Sequence, residues 1–235
     1  MTSPVTTAAP HLAQLRLNGR SGAVHHDLGD AGRLHRRVQS MFPDTTPRTA
    51  TGTLYRLERE PSGPILLVQS MIPVNSKALP PRYTTGVDHR DLTPLFEWIT
   101  TGLTVRYRID ANPVKAQRAA DSRERGRRVP LIGDEAVAWW ERKAQAAGLL
   151  AQLILDTPQP PLLADRGTDE DNQPSSDRNT KKEDKRPSRA RLSIVRFEGV
   201  ATVTDPDALR TALAQGIGQG RAFGAGLLSI APYRS

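Results

Sequence analysis

The chain has no cysteine among its 235 residues. Disulfides and thiolate metal sites are therefore excluded, and the composition fits a cytoplasmic protein. No apolar run approaches the 18 residues that a membrane-spanning helix needs. The N-terminus lacks the charged-then-apolar pattern of a secretion signal. No membrane partner is expected. Five histidines, His11, His25, His26, His35 and His89, are scattered along the chain. None has an H-E-x-x-H or comparable ligand spacing, so no metal and no cofactor are expected.

Positive charge is what the chain does have. Lys and Arg number 33 against 25 acids, a net charge of +8. The isoelectric point near 10.3 favours an anionic partner such as nucleic acid. The mean hydropathy of −0.50 is polar for a globular chain. The stretch Asp165 to Arg191, "DRGTDEDNQPSSDRNTKKEDKRPSRAR", accounts for part of it. It has no large apolar residue and cannot bury enough surface to offset the entropy of ordering. It reads as a solvated insertion.

Glycine is concentrated at the end. "GIGQGRAFGAGLLSIAP", Gly216 to Pro232, has five glycines in its first eleven residues. It lacks the Lys of a phosphate-binding G-x-x-x-x-G-K-[ST] loop. A dinucleotide fingerprint runs strand, glycines, helix. Here the order is reversed. Leu209, Ala212, Leu213 and Ile217 make a helical stripe before the glycines, and "LLSIAP" reads as a strand after them. One glycine would end the helix. Five, with Arg221 among them, suggest backbone amides open to a phosphate chain. Both readings stand at this point.

The rest of the chain alternates. "HLAQLRLN" reads as a strand. "AGRLHRRVQSMF" reads as a helix from Ala31 to Phe42, with Asp30 as cap, Pro43 as stop, and Leu34, Val38, Met41 and Phe42 as its stripe. "TGTLYRLERE" and "GPILLVQSM" read as strands around "PSG", and "DLTPLFEWI" as a short helix. The order then recurs. "LTVRYRIDANP" reads as a strand, and "GDEAVAWWERKAQAAG" as a helix with Val137, Trp140, Ala144 and Ala147 on one side. "AGLLAQLIL" reads as a strand, "RLSIVRFEGVATVTD" as one long strand, and the terminal helix, glycines and strand complete the set. Each half approximates strand–helix–strand–strand–helix–strand, an order found in RNA-recognition modules. The predicted fold class is α+β, two tandem ferredoxin-like domains, residues 1–95 and 96–235.

Two places carry candidate chemistry. Lys115 to Arg128 contains six basic residues, Lys115, Arg118, Arg123, Arg125, Arg127 and Arg128, with two acids. Helical periodicity is poor there. Such a run is either a solvated face or a loop that enters the groove of a folded RNA. The second place is His35, followed by Arg36 and Arg37. A lone helical histidine is commonly structural. Beside two arginines it also makes a metal-free RNA-cleaving group, because imidazole moves protons near neutral pH and guanidinium offsets phosphate charge.

The blocks "LHRRVQSMFP", "YRIDANPVK", "RRVPLI", "AWWERKA", "VRFEGVATV" and "GIGQGRAFGAGLLSIAP" follow one another in this order. Together they resemble the CasE family, the CRISPR repeat-processing endoribonucleases of the type I-E Cascade complex. The resemblance implies tandem ferredoxin-like domains and metal-independent cleavage of repeat RNA beneath its stem-loop. It implies a product ending in a 2′,3′-cyclic phosphate, kept bound within Cascade beside other subunits. The family histidine falls on His35. Many members carry a tyrosine three residues earlier, where this chain has Gly32. The expected RNA contacts are Arg36, Arg37, the six basic residues above, Lys143, Gly218, Gly220, Arg221 and Gly224. The alternatives are a non-catalytic RNA-binding subunit of the same fold and a basic ribosome- or DNA-associated structural protein.

Overall fold

A computed structural model describes residues 8–117, 128–165 and 189–234. The first half is built on β1 (His11–Leu17), β2 (Leu54–Glu60), β3 (Gly63–Ser70) and β4 (Thr84–Asp91). They form an antiparallel sheet in the order β2-β3-β1-β4. Between β1 and β2 lie α1 (Gly22–Leu28), α2 (Ala31–Gln39) and the single turn α3 (Arg48–Thr51). Alternation in β1 sends Ala13, Leu15 and Leu17 inward. The Asp30 carboxylate accepts the Arg33 N–H at 2.9 Å and caps α2 as expected. The helix stops at Gln39, short of the predicted Phe42. The Ser40 hydroxyl donates to the Arg37 carbonyl there. Met41 and Phe42 enter the first core from the following turn, beside Leu34 and Val38.

The second helix of this half is not where the sequence put it. "DLTPLFEWI" does form α4 (Thr93–Trp98), but after β4, a strand the periodicity did not reveal. The link from β3 to β4 holds only the 3-10 turn Ser76–Ala78. Phe96 in α4 and Ile99 just after it belong to the second core. Arg210 fastens that connection by donating to the carbonyls of Phe96 at 2.9 Å and Ile99 at 2.8 Å. These are the open carbonyls of a helix end. The predicted boundary after residue 95 thus falls inside α4.

The second half begins with β5 (Thr104–Ala111) and the hairpin β6 (Val114–Ala116) and β7 (Arg128–Pro130). Then come α5 (Asp134–Ala146), β8 (Leu149–Pro158), and the ribbon β9 (Leu162–Asp165) with β10 (Arg189–Leu192). β11 (Val195–Val203), α6 (Pro206–Gln215) and β12 (Ser229–Pro232) finish it. Its sheet order is β12-β5-β11-β8, fourth strand, first, third, second. The first sheet has the same order. Both halves are ferredoxin-like, and the α+β class read from the sequence is the class observed. Trp140 stacks on Phe197 at 5.5 Å and meets Tyr107 at 5.4 Å in the second core.

Three details correct the sequence reading. The long strand from Arg191 is two strands: β10 pairs with β9 in the ribbon, and β11 stays between β5 and β8. Buried Ile194 makes the break, its carbonyl accepting the Gln159 N–H. Asp165 and Arg189–Arg191, read as part of the solvated insertion, stand in that ribbon; the rest of that segment lies outside the described residues. On α5, Ala136 and Trp139 join Trp140, Ala144 and Ala147 in the core, while Val137 is only half-buried.

A buried ionic network joins the halves. Arg56 and Glu58 on β2 reach the second sheet. Arg56 donates to Glu58 at 2.7 Å, to the Leu227 carbonyl at 2.8 Å and to the Ser229 hydroxyl at 3.0 Å. Arg196 bridges Glu58 at 2.9 Å and binds both Asp110 oxygens at 2.7 and 2.9 Å. Arg108 lies between Glu58 and Glu198. Burial alone would raise the Glu58 carboxyl, but Arg56, Arg196 and Arg108 hold it below its ordinary value. Charges this deeply buried persist only when paired on several sides. They fix how the halves meet. Among the described residues no helix is long and apolar enough to cross a membrane.

Candidate nucleic-acid interface

His35 sits on α2, half-buried, at the junction of the two halves. Its ring lies 6.5 Å from that of Tyr55 on β2, nearly parallel at 26°. The ring of Phe223 stands on another side at 6.2 Å, tilted by 58°. Phe223 belongs to the 3-10 turn Arg221–Phe223 inside the glycine-rich stretch. The Tyr55 hydroxyl donates to the Ala222 carbonyl at 2.7 Å. That bond pins the turn to the first half, and burial pushes the Tyr55 hydroxyl far above its usual pKa. The two aromatic neighbours of the histidine thus come from different domains.

The arginines after His35 part company. Arg36 is exposed. Arg37 turns inward: its Nε donates to Asp27 at 2.6 Å, and its guanidinium lies 5.3 Å over the Tyr83 ring. The Tyr83 hydroxyl donates to the same Asp27 oxygen. Burial would raise Asp27, but hydrogen bonds from Arg37, His26 and Tyr83 keep it low and ionised. Arg37 is therefore held in an ion pair inside the protein. The sequence hides this because Asp27 lies ten residues away, beyond the reach of a helical spacing rule.

The glycine stretch also differs from the open phosphate cradle expected. All five glycines have positive φ, from 74° to 88°. A Cβ on Gly224 would stand 3.0 Å from the Tyr55 ring, and one on Gly226 would stand 2.7 Å from the Ile217 carbonyl. Several amides are used inside the protein. Ile217 donates to Gly226, Phe223 and Ala225 to Gly220, and Gly226 to the Asp110 carbonyl. Gly218 backs onto the Trp139 ring, and Gly220 and Gly224 frame the 3-10 turn. The glycines let a tight loop seat itself between the halves. Arg221 remains exposed on that loop, one guanidinium nitrogen donating to the Gln215 carbonyl.

That loop reaches the basic hairpin as well. Gln219 forms a β-bridge with Asn112, two residues before β6. A continuous path therefore runs from His35 through Phe223 and Gln219 to the root of the hairpin. Arg128 is exposed at the start of β7. Lys115 is exposed and paired with Glu135 at 2.6 Å. Lys143 is exposed on α5. Arg118, Arg123, Arg125 and Arg127 lie outside the described residues. Tyr55 and Phe223 were not read as site residues. Phe223 lay inside a motif already singled out, whereas Tyr55 looks like any core position of an alternating strand.

Comparison with known proteins agrees with this geometry. Residues 11–232 match the family described as CRISPR associated protein. The CRISPR-associated endoribonuclease Cse3 of Thermus thermophilus is 29% identical over 224 residues, covering 94% of this chain and 99% of the relative. The CRISPR system Cascade subunit CasE of Escherichia coli is 30% identical over 213 residues, 86% of this chain and 92% of the relative. A solved structure of CRISPR endoribonuclease Cse3 bound to 19 nt RNA superposes with a TM-score of 0.77 at 27% identity, over 94% of this chain and all of that one. The chain belongs to the CasE family of CRISPR-associated proteins.

Proposed function

We propose that this chain is the endoribonuclease that cuts CRISPR repeat RNA at the base of its stem-loop, without a metal, and remains on the product as a subunit of a cytoplasmic Cascade complex. The carrying observation is the position of His35, held between Tyr55 and Phe223 on the loop that leads to the basic hairpin.

RNA brings its own nucleophile, the 2′-hydroxyl beside the scissile phosphate. Its oxygen attacks phosphorus, the bond to the 5′-oxygen breaks, and the product ends in a 2′,3′-cyclic phosphate. The protein has to align these atoms, move protons and offset charge. The His35 imidazole takes the 2′ proton or supplies one to the departing 5′-oxygen. Arg36 and Arg221, both exposed near it in the fold, supply positive charge. The hairpin residues Lys115, Arg118, Arg123, Arg125, Arg127 and Arg128, with Lys143, hold the stem through its phosphates. Gly218, Gly220 and Gly224 shape the loop that brings Arg221 and Phe223 to the RNA.

Single-turnover cleavage of a labelled repeat hairpin tests this. His35→Ala should bind the hairpin and lose most cleavage, and chelators should leave the unmodified protein active. A pH–rate profile that rises with pH marks the imidazole as base; one that falls marks it as acid. Gly32 in place of the family tyrosine supports the second reading, an RNA-binding subunit without cleavage. Binding with no product from the unmodified chain would establish that reading instead.

A further inference from the structure

A cavity of about 150 Å³ lies between the two halves, beside His35. Ala31 and Leu34 of α2 form part of its wall, so it begins within one helical turn of the histidine. The rings of Tyr55 and Phe223, which flank the imidazole, also line it. Leu57, Leu162 and Ile194 add aliphatic wall. A space of this size accepts one aromatic ring.

Its polar lining narrows the occupant. Asp27, Asp30 and Asp110, all buried, line it together with Arg59. Arg37 pairs with Asp27 and Arg196 with Asp110, so the wall offers hydrogen-bond acceptors rather than bare negative charge. A neutral ring that presents N–H groups suits such a wall, because a carboxylate has about four acceptor sites.

The reaction supplies such a ring. In-line attack by a 2′-hydroxyl needs the nucleotide to leave its stacked helical conformation, and the base it carries must then go somewhere. We propose that this cavity receives the unstacked base of a nucleotide adjoining the scissile phosphate, stacked against Phe223, and that its carboxylates favour an amino-bearing base over uracil. The proposal rests on the endoribonuclease reading given above. It makes Phe223 a substrate contact as well as a support for His35, with buried Tyr55 fixing the turn behind it. It also gives the ribbon a part in the site, since Leu162 on β9 closes one side.

The test uses the full chain and repeat hairpins carrying an abasic nucleotide on either side of the scissile phosphate. One abasic position should slow single-turnover cleavage roughly 5- to 150-fold, the range for losing one base–aromatic stack. Hairpin affinity should change little, because it rests on the stem. Leu57→Trp, which fills the cavity, should slow the intact hairpin similarly and make the abasic change nearly silent. Cytidine at that position should be cut faster than uridine. A non-cleavable 2′-deoxy hairpin with 2-aminopurine there should change fluorescence on binding the unmodified protein and His35→Ala, but not Leu57→Trp. Full-rate cleavage of both abasic hairpins overturns the proposal without needing any variant to fold. Equal rates for cytidine and uridine overturn the base preference. If His35→Ala itself cleaves at the unmodified rate, the endoribonuclease assignment of His35 fails instead, whatever the cavity does.

Discussion

The two halves have one strand order and different completeness. The second has both helices of a ferredoxin-like domain, α5 and α6, over a core centred on Trp140 and Phe197. The first has helices only between β1 and β2, and a 3-10 turn where its second helix would stand. Its strand β2 is consequently buried on both faces. Tyr55 turns toward its own core, while Leu54, Arg56 and Glu58 turn toward the other half. At the far edge of the same sheet, β4 is largely exposed. The less complete half carries the candidate catalytic histidine and depends on its neighbour to position it. The more complete half carries the loop and the basic hairpin.

This division of labour can be broken on either side. The largest effect should come from His35→Ala, which should lower single-turnover cleavage by about 10²–10⁴-fold, the usual contribution of a positioned proton-transfer group. Hairpin affinity and melting temperature should stay near those of the unmodified protein. Replacing Arg125, Arg127 and Arg128 with Ala should do the opposite, weakening affinity and flattening its salt dependence because fewer counterions are released. An unchanged salt slope would remove those arginines from the interface.

Next in size is the junction. Glu58→Ala leaves Arg56 buried without its carboxylate partner and weakens the hold on Arg196 and Arg108. Breaking a buried pair in this way costs about 3–5 kcal/mol. Denaturant titration should show that loss, with a second, earlier transition if the halves separate. Acid should reach the same network. Because the folded Glu58 carboxyl is held below its unfolded value, the stability it contributes is complete above about pH 4.3 and disappears as pH falls through the lower folded value. Melting curves from pH 6 downward, compared with Glu58→Gln, would isolate that contribution.

Gly224→Ala should be milder. A left-handed backbone costs an alanine about 1–2 kcal/mol, and the added Cβ presses on the Tyr55 ring. Cleavage should fall with little change in hairpin affinity. The smallest effect belongs to deletion of residues 167–185, which contain no large apolar residue. Melting temperature and cleavage should be nearly unchanged, and a large fall in either would show that the segment packs against the fold.

Much of this was readable along the chain because it is local. The Asp30 cap, the α2 stripe and the alternation of β1 and β5 are set by residues a few positions apart. So is the reversal at the glycines, where positive φ selects the one residue without a Cβ. His35 was legible as a candidate for the same reason, standing with its arginines on one short helix. The family resemblance added the reaction. The long strand at Arg191 was misread because apolar residues run on across Ile194 and Val195, where the alternation changes phase, and a phase slip by itself does not show that the two parts pair with different neighbours.

The sequence by itself determined the fold class, most of the larger strands and helices of both halves, the basic character of the partner surface and the place of the candidate catalytic histidine on α2. Short-range sterics, capping and net charge suffice for those. Only the tertiary structure decided that Arg37 serves Asp27, that β2 is buried on both faces, and that Tyr55 and Phe223 share both His35 and the cavity beside it. Tyr55 and its hydrogen-bond partner Ala222 are 167 residues apart. Contacts of that span depend on how two separately formed sheets dock, and no local pattern encodes the choice of partner.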